Sequence, residues 1–166
     1  MRESLFAALG EFDGARVLDL YAGSGSLGIE ALSRGAASAT FVDASPSSVL
    51  VLKKNLVELG VLDRASVISD DALRAVRRLA RMGECFDLVL ADPPYTSDEA
   101  DRLLLEPSLR DLLAGGGTLV LEFERRHSLP APEGLIAIDE RRYGDTAVAR
   151  FAIAGDGGAA RGAASE

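Results

Sequence analysis

The chain has 166 residues, against a usual allowance of roughly 150 per domain, so one compact domain is expected with little left for a second. Hydrophobic residues make up 48% and charged residues 27%, a balance that supports a packed core and excludes bulk disorder. A formal net charge of −8 is opposite in sign to the footprint of a nucleic-acid binder, so any nucleic-acid partner must be met by a local basic patch or by something outside this chain.

The run Met1-Arg2-Glu3-Ser4-Leu5-Phe6 carries an acid and no long apolar stretch, so it is no secretory signal. No apolar run reaches the roughly 20 residues that span a bilayer, and a cytoplasmic protein without a membrane partner is expected. Short Val-, Ile- and Leu-rich runs then alternate with longer segments of helical spacing, the pattern of βαβ units in a parallel sheet covered on both faces. Strands are expected at Arg16–Tyr21, Ala39–Asp43, Ser66–Ser69, Phe86–Ala91 and Thr118–Glu122. Helices fill the gaps: Ser26 to Gly35, then a second with Ser45 as N-cap and Pro46 in its first turn, running to Gly60. A third covers Asp71–Met82, and a fourth runs from Ser97 to Leu113 with a break or kink at Pro107. After Gly115-Gly116-Gly117, alternation over Leu135–Arg142 and Ala147–Ile153 around Tyr143-Gly144-Asp145-Thr146 predicts an antiparallel hairpin closing the sheet. Residues 155–166, small and unpatterned, are expected to form a disordered tail after a single folded domain at 1–154. A single cysteine, Cys85, and a single histidine, His127, exclude an intrachain disulfide and a typical structural zinc site, so no metal is expected.

Gly23, Gly25 and Gly28 follow the first strand and open the first helix with G-x-G-x-x-G spacing, and Asp43 lies at the end of the second strand. Glycine lets backbone approach a nucleotide-type ligand, and a carboxylate at the next strand end can accept from ribose hydroxyls. The spacing alone also fits a tight strand-to-helix turn with no ligand. Asp19, just before the glycines, separates two ligand classes: it would repel a pyrophosphate and suits a cationic amine such as that of S-adenosylmethionine. After the third strand, Asp71 is placed to accept from an adenine amine while Asp70 caps the helix; both also read as ordinary helix-start acids.

Strand four ends in Asp92-Pro93-Pro94-Tyr95, which a parallel sheet puts at the ligand crevice. An exocyclic nucleobase amine is a poor nucleophile because its lone pair is delocalised. Hydrogen bonds from its N–H groups to Asp92 and to the Pro93 carbonyl would favour a pyramidal nitrogen and stabilise its developing positive charge. The prolines fix φ and add no competing donor, and Tyr95 can stack on a flipped-out base. Taken alone, the tetrad also reads as a turn ending a buried strand.

Together these residues resemble a Rossmann-like S-adenosylmethionine-dependent methyltransferase, an α/β fold with a mostly parallel seven-stranded sheet, a C-terminal antiparallel hairpin and helices on both faces. More narrowly, the chain is similar to the bacterial 16S rRNA guanine-N2 methyltransferases of the small ribosomal subunit, the RsmD family. The matching stretches are Arg2-Glu3-Ser4-Leu5-Phe6, Val17 through Gly25, Gly28 through Ala36, Lys54-Asn55, Asp92-Pro93-Pro94-Tyr95 and Tyr143-Gly144-Asp145-Thr146. The resemblance implies that S-adenosyl-L-methionine is the cofactor and that guanine 966 of 16S rRNA is the target. It further implies that Asp19, Gly23 and Gly25 cradle the methionine part, Asp43 holds the ribose and Asp71 the adenine. Tyr21, Ala22, Ser24, Ala44 and Ala72 complete the cofactor-binding set, and Asp92, Pro93, Pro94 and Tyr95 form the catalytic set. Family members carry a basic segment before the Arg-Glu-Ser-Leu-Phe run, so part of the RNA-binding and cofactor-covering surface is expected to be missing here.

The expected partner is 16S rRNA within an assembled or partly assembled small subunit, since an acidic domain has little purchase on naked RNA, and the protein is expected to be a monomer. Arg125-Arg126-His127 follows strand five on the rim that carries Asp92; Arg74, Arg77, Arg78 and Arg81 share one helix face that is RNA-contacting or simply solvated. An adenine-N6 type methyltransferase, a nicotinamide dehydrogenase and a binding-only module remain as alternatives at this point.

Overall fold

A computed structural model describes residues 12–155 together with Phe6 and Leu9; the expected tail beyond Gly155 and the stretch Arg2-Glu3-Ser4-Leu5 lie outside the described residues. The strands are β1 (Arg16–Leu20), β2 (Ser38–Asp43), β3 (Ala65–Ser69), β4 (Phe86–Ala91), β5 (Leu113–Glu124), β6 (Leu135–Tyr143) and β7 (Thr146–Ile153). They form one sheet in the order β3-β2-β1-β4-β5-β7-β6. The first five run parallel, and β7 inserts antiparallel between β5 and β6. Because the strand order reverses between β1 and β4, a crevice opens at their carboxyl ends. The helices are α1 (Ser26–Ser33), α2 (Pro46–Glu58), α3 (Ala72–Arg81), α4 (Glu99–Leu104) and α5 (Ser108–Asp111).

Each central strand is apolar on both faces because helices cover both. On one side Leu73, Val76 and Leu79 of α3, with Leu103 and Leu109 from α4 and α5, pack on Leu18, Val89 and Leu119. On the other, Leu32 of α1 and Leu52 and Leu56 of α2 pack on Val17, Phe41, Leu88, Leu90 and Val120, and Phe6 joins this layer. The α2 start is set locally: Ser45 Oγ accepts from the Ser48 N–H at 3.3 Å, and Pro46 has no N–H to leave unsatisfied.

Four expectations change. β1 stops one residue early because Tyr21 turns out of the sheet at φ 56°, entering the glycine loop. β5 starts at Leu113 rather than Thr118 and carries the glycine triplet inside it, across a register shift opposite Phe86 and Leu88. Gly117 permits this: an added Cβ there would meet the Phe86 and Ala114 carbonyl oxygens at 3.0 and 2.9 Å. The fourth helix is two, since Pro107 heads α5 instead of kinking a continuous segment. Asp71, not Asp70, caps α3, accepting from the Arg74 N–H at 3.1 Å while Asp70 accepts from the Asp71 N–H and pairs with Arg74.

Packing is close where α1 crosses β1 and β2. A Cβ on Gly28 would fall inside the Phe41 ring envelope and 3.0 Å from Asp19 Oδ2. Gly28→Ala is expected to lower stability by about 1–3 kcal/mol, the usual range for overpacking, as read from urea unfolding midpoints; an unchanged midpoint would contradict this packing.

Candidate active site

Leu20 registers with Val42 on β2 and with Ala91 on β4, and Ala91 registers with Leu121 on β5. The residues that follow, Asp43, Tyr21, Asp92 and Glu122, therefore emerge side by side at the carboxyl edge of the sheet. A cavity of about 470 Å³ opens over this edge, lined by Tyr21, Val42, Asp43, Ala44, Ser45, Asp71, Ala72, Asp92, Pro94, Ser97 and Glu99. Of the residues singled out from the sequence, Tyr21, Asp43, Ala44, Asp71, Ala72, Asp92 and Pro94 share this wall. Pro93 and Tyr95 instead face a small adjoining recess with Phe123, Glu124 and His127.

The glycine loop is tied to the edge through backbone donors. Gly23 N–H donates to Asp43 Oδ2 at 2.8 Å and Ser45 N–H to Asp43 Oδ1 at 2.9 Å, so one carboxylate joins the loop to the start of α2. Gly23 and Gly25 hold φ of 58° and 88°, a region where a side chain would be strained. Ser24 is fixed from α2, where Asn55 Nδ2 donates to its carbonyl at 3.0 Å.

Asp19 does not line the cavity. It is only 1% exposed, beneath the loop, where its Oδ2 accepts from the Gly28 N–H at 2.9 Å. Burial pushes its carboxyl up to about 7 against that hydrogen bond, and the negative Asp92 and Asp43 add to the rise.

Around the tetrad the side chains form two linked sets. Tyr95 Oη donates to Glu122 Oε2 at 3.1 Å and lies 2.6 Å from Thr146 Oγ1, so the β7 start and the β5 end hold its ring in place. On the cavity side, Tyr21 Oη donates to Glu99 Oε1 at 2.8 Å, and burial with the Glu99 bond raises the phenol above its usual range. Burial also raises Glu122. Asp92 is pushed up to about 6, first by the protein packed around it and then by the negative Glu122. Ser45, Ser97, Glu99, Glu122 and Thr146 were not read from the sequence as site residues. Glu122 had a findable signal, since it ends a predicted strand beside Asp92; nothing in spacing connects Tyr21 with Glu99.

The basic patches differ from one another. Arg74 and Arg78 pair with Asp70, and Arg77 pairs with Glu106 at 2.7 Å, so most of the α3 face is internally compensated. Arg125, Arg126 and Arg142 line a groove of about 800 Å³ beneath the β5–β6 connection. Phe123 and His127 border both this groove and the recess beside Tyr95, so the two are contiguous.

Asp19 makes the stability of the protein sensitive to pH. A carboxyl whose folded pKa is raised contributes its full stability below its unfolded pKa near 4, and that contribution is lost as pH rises through about 7. Asp92, raised to about 6, acts with the same sign. Asp19→Asn keeps an acceptor for Gly28 and removes the charge. Its melting temperature is expected to exceed the parent's at pH 8 and to fall less between pH 5.5 and 8; parallel curves would show that Asp19 is not the titrating group.

Residues 1–152 match the family described as Conserved hypothetical protein 95. The Bacillus subtilis protein YlbH is 39% identical over 91% of this chain and 83% of its own length. Ribosomal RNA small subunit methyltransferase D of Buchnera aphidicola is 30% identical over 80% of this chain and 69% of its own length. A solved structure of a conserved protein from Streptococcus pyogenes superposes with a TM-score of 0.81 at 31% identity, covering 94% of this chain and 97% of that one. With glycine loop, acidic strand ends and Asp-Pro-Pro-Tyr edge all inside the matched span, the chain belongs to the Conserved hypothetical protein 95 family.

Proposed function

We propose that this protein is an rRNA methyltransferase that moves a methyl group from S-adenosylmethionine to the exocyclic N2 amine of a guanine in 16S rRNA. The observation that carries this reading is the Asp92-Pro93-Pro94-Tyr95 edge opening on a cavity walled by Asp43, Asp71, Asp92 and Glu99, with no lysine or arginine lining it among the described residues. Such a wall disfavours the two phosphates of a nicotinamide dinucleotide and suits a ligand whose charge is cationic. At about 470 Å³ the cavity also falls within the roughly 300–1,000 Å³ range of small-ligand sites.

Asp43, already accepting from two backbone donors, has lone pairs left for ribose hydroxyls. Asp71 and Ala72 flank the adenine position, and Tyr21, Ala22, Gly23, Ser24, Gly25 and Ala44 surround the methionine part. Asp19 supports this set from below, holding α1 against the loop and adding negative potential. The cofactor, when bound, supplies an electrophilic methyl on a sulfonium. Asp92 and the Pro93 carbonyl orient the amine by accepting its two N–H groups, and the Tyr95 ring holds the flipped base. Asp92 then holds the proton the amine sheds after methylation and passes it to water, for which a carboxyl near 6 is well matched.

The protein acts in the cytoplasm as a monomer on 16S rRNA within an assembled or partly assembled subunit, where protein and RNA shape add to the binding that a −8 chain cannot draw from phosphates alone. Phosphates next to the target base are met by Arg125 and Arg126, on the groove that adjoins the Tyr95 recess.

Asp92→Ala is expected to lower kcat by at least about 100-fold while calorimetry gives an S-adenosylmethionine affinity within about threefold of the parent and no heat with NADH; unchanged turnover would overturn the assignment. In the parent, kcat/KM is expected to fall about tenfold per pH unit below about 6, as Asp92 takes up a proton. Replacing Arg125 and Arg126 by Ala should raise KM for RNA and flatten the logarithmic salt dependence by about one unit per lost phosphate contact, with cofactor affinity unmoved. Equal activity on protein-free 16S rRNA and on the partly assembled subunit would contradict the substrate proposed.

A further inference from the structure

Two carboxylates stand next to each other at the tetrad, and methyl transfer to an amine requires only one. Ala91 and Leu121 are the last registered pair of β4 and β5, so Asp92 and Glu122 follow on adjacent strands, which run roughly 4.8 Å apart. Leu90 and Val120, two residues earlier, both pack in the layer under α1 and α2, so strand alternation sends Asp92 and Glu122 to that same side. Glu122 is held there by the Tyr95 hydroxyl, which Thr146 braces in turn. The pairing is unfavourable by itself: beyond the effect of burial, the charge of Glu122 raises the pKa of Asp92. A ligand that presents two adjacent donors would relieve it.

The Watson–Crick edge of guanine has that pattern: N1–H beside the N2 amine, two donor groups in line. Adenine offers a bare acceptor at its N1, which would meet a carboxylate lone pair to lone pair. We propose that Glu122 is the specificity-determining residue of this site, accepting the guanine N1–H while Asp92 accepts from the N2 amine. This inference rests on the guanine-N2 reading above and assigns the choice of base to a residue outside the tetrad. A site built around a donor rejects the base lacking it because the buried acceptor is left unpaired.

The test pairs a protein change with a base change. Two RNA substrates are compared, identical except for guanine or 2-aminopurine at the target position; 2-aminopurine keeps the N2 amine and has no N1–H. Single-turnover rates are measured for the parent, Glu122→Gln and Glu122→Ala, each first shown by calorimetry to bind S-adenosylmethionine as the parent does. The parent is expected to prefer guanine by roughly 10- to 100-fold, the value of one hydrogen bond to a charged group. In Glu122→Gln the preference should collapse towards one, because the amide can donate to the bare N1, and in Glu122→Ala it should be lost with both rates reduced. A parent that methylates guanine, with variants that keep its full preference over 2-aminopurine, overturns the proposal and leaves the functional reading intact. A parent that methylates neither RNA overturns both.

Discussion

The site depends on a buried carboxylate under a glycine turn. Asp19 accepts from the Gly28 N–H inside a layer that is otherwise apolar, so the first turn of α1 is drawn against β1 and β2. Gly28 is small enough to allow that approach, and Phe41 fills the space beside it. With α1 fixed, the loop between Tyr21 and Ser26 has one path, and Asp43 closes it by accepting from Gly23 and Ser45. The cavity is therefore shaped by backbone N–H groups and two aspartates.

Negative charge is concentrated along one sheet edge, where burial raises Asp19, Asp92 and Glu122 and like-charged neighbours add to the rise of the first two. The same concentration defines what the edge can bind. Anionic cofactors are disfavoured, cationic groups and clustered N–H donors are favoured, and a carboxyl near 6 can hold a proton for a short time at neutral pH. Among the described residues the basic side chains lie apart from it: Arg74, Arg77 and Arg78 of α3 are compensated by Asp70 and Glu106, whereas Arg125, Arg126 and Arg142 line the groove beyond the Tyr95 recess. A polyanion can thus approach one side of the tetrad while the acidic wall serves the other.

Several features were legible because their causes are local. The Ser45-Pro46 start of α2, the β4 run into two prolines and the turn between Tyr143 and Thr146 follow from capping, missing donors and alternation within a few residues. Where an expectation missed, a distant partner overrode local preference. The glycine triplet reads as a breaker, yet Gly117 lies in β5 because the neighbouring backbone comes too close for a side chain. Asp70 and Asp71 are equivalent cap candidates by spacing, and Arg74, bonding to both, decides between them.

By itself the sequence determined the alternation of strands and helices, the glycine turn with an acid on either side, and the Asp-Pro-Pro-Tyr run at a strand end, since each is written in contiguous residues. Only the tertiary structure decided that Asp19 lies beneath the loop instead of in the cavity wall, and that Tyr21 bonds Glu99 across 78 positions. It also decided that β7 enters between β5 and β6, which brings Thr146 to Tyr95, and that Glu122 stands beside Asp92. Those placements depend on strand order and register, which arise from packing between segments far apart in the chain and leave no periodic mark within any one of them.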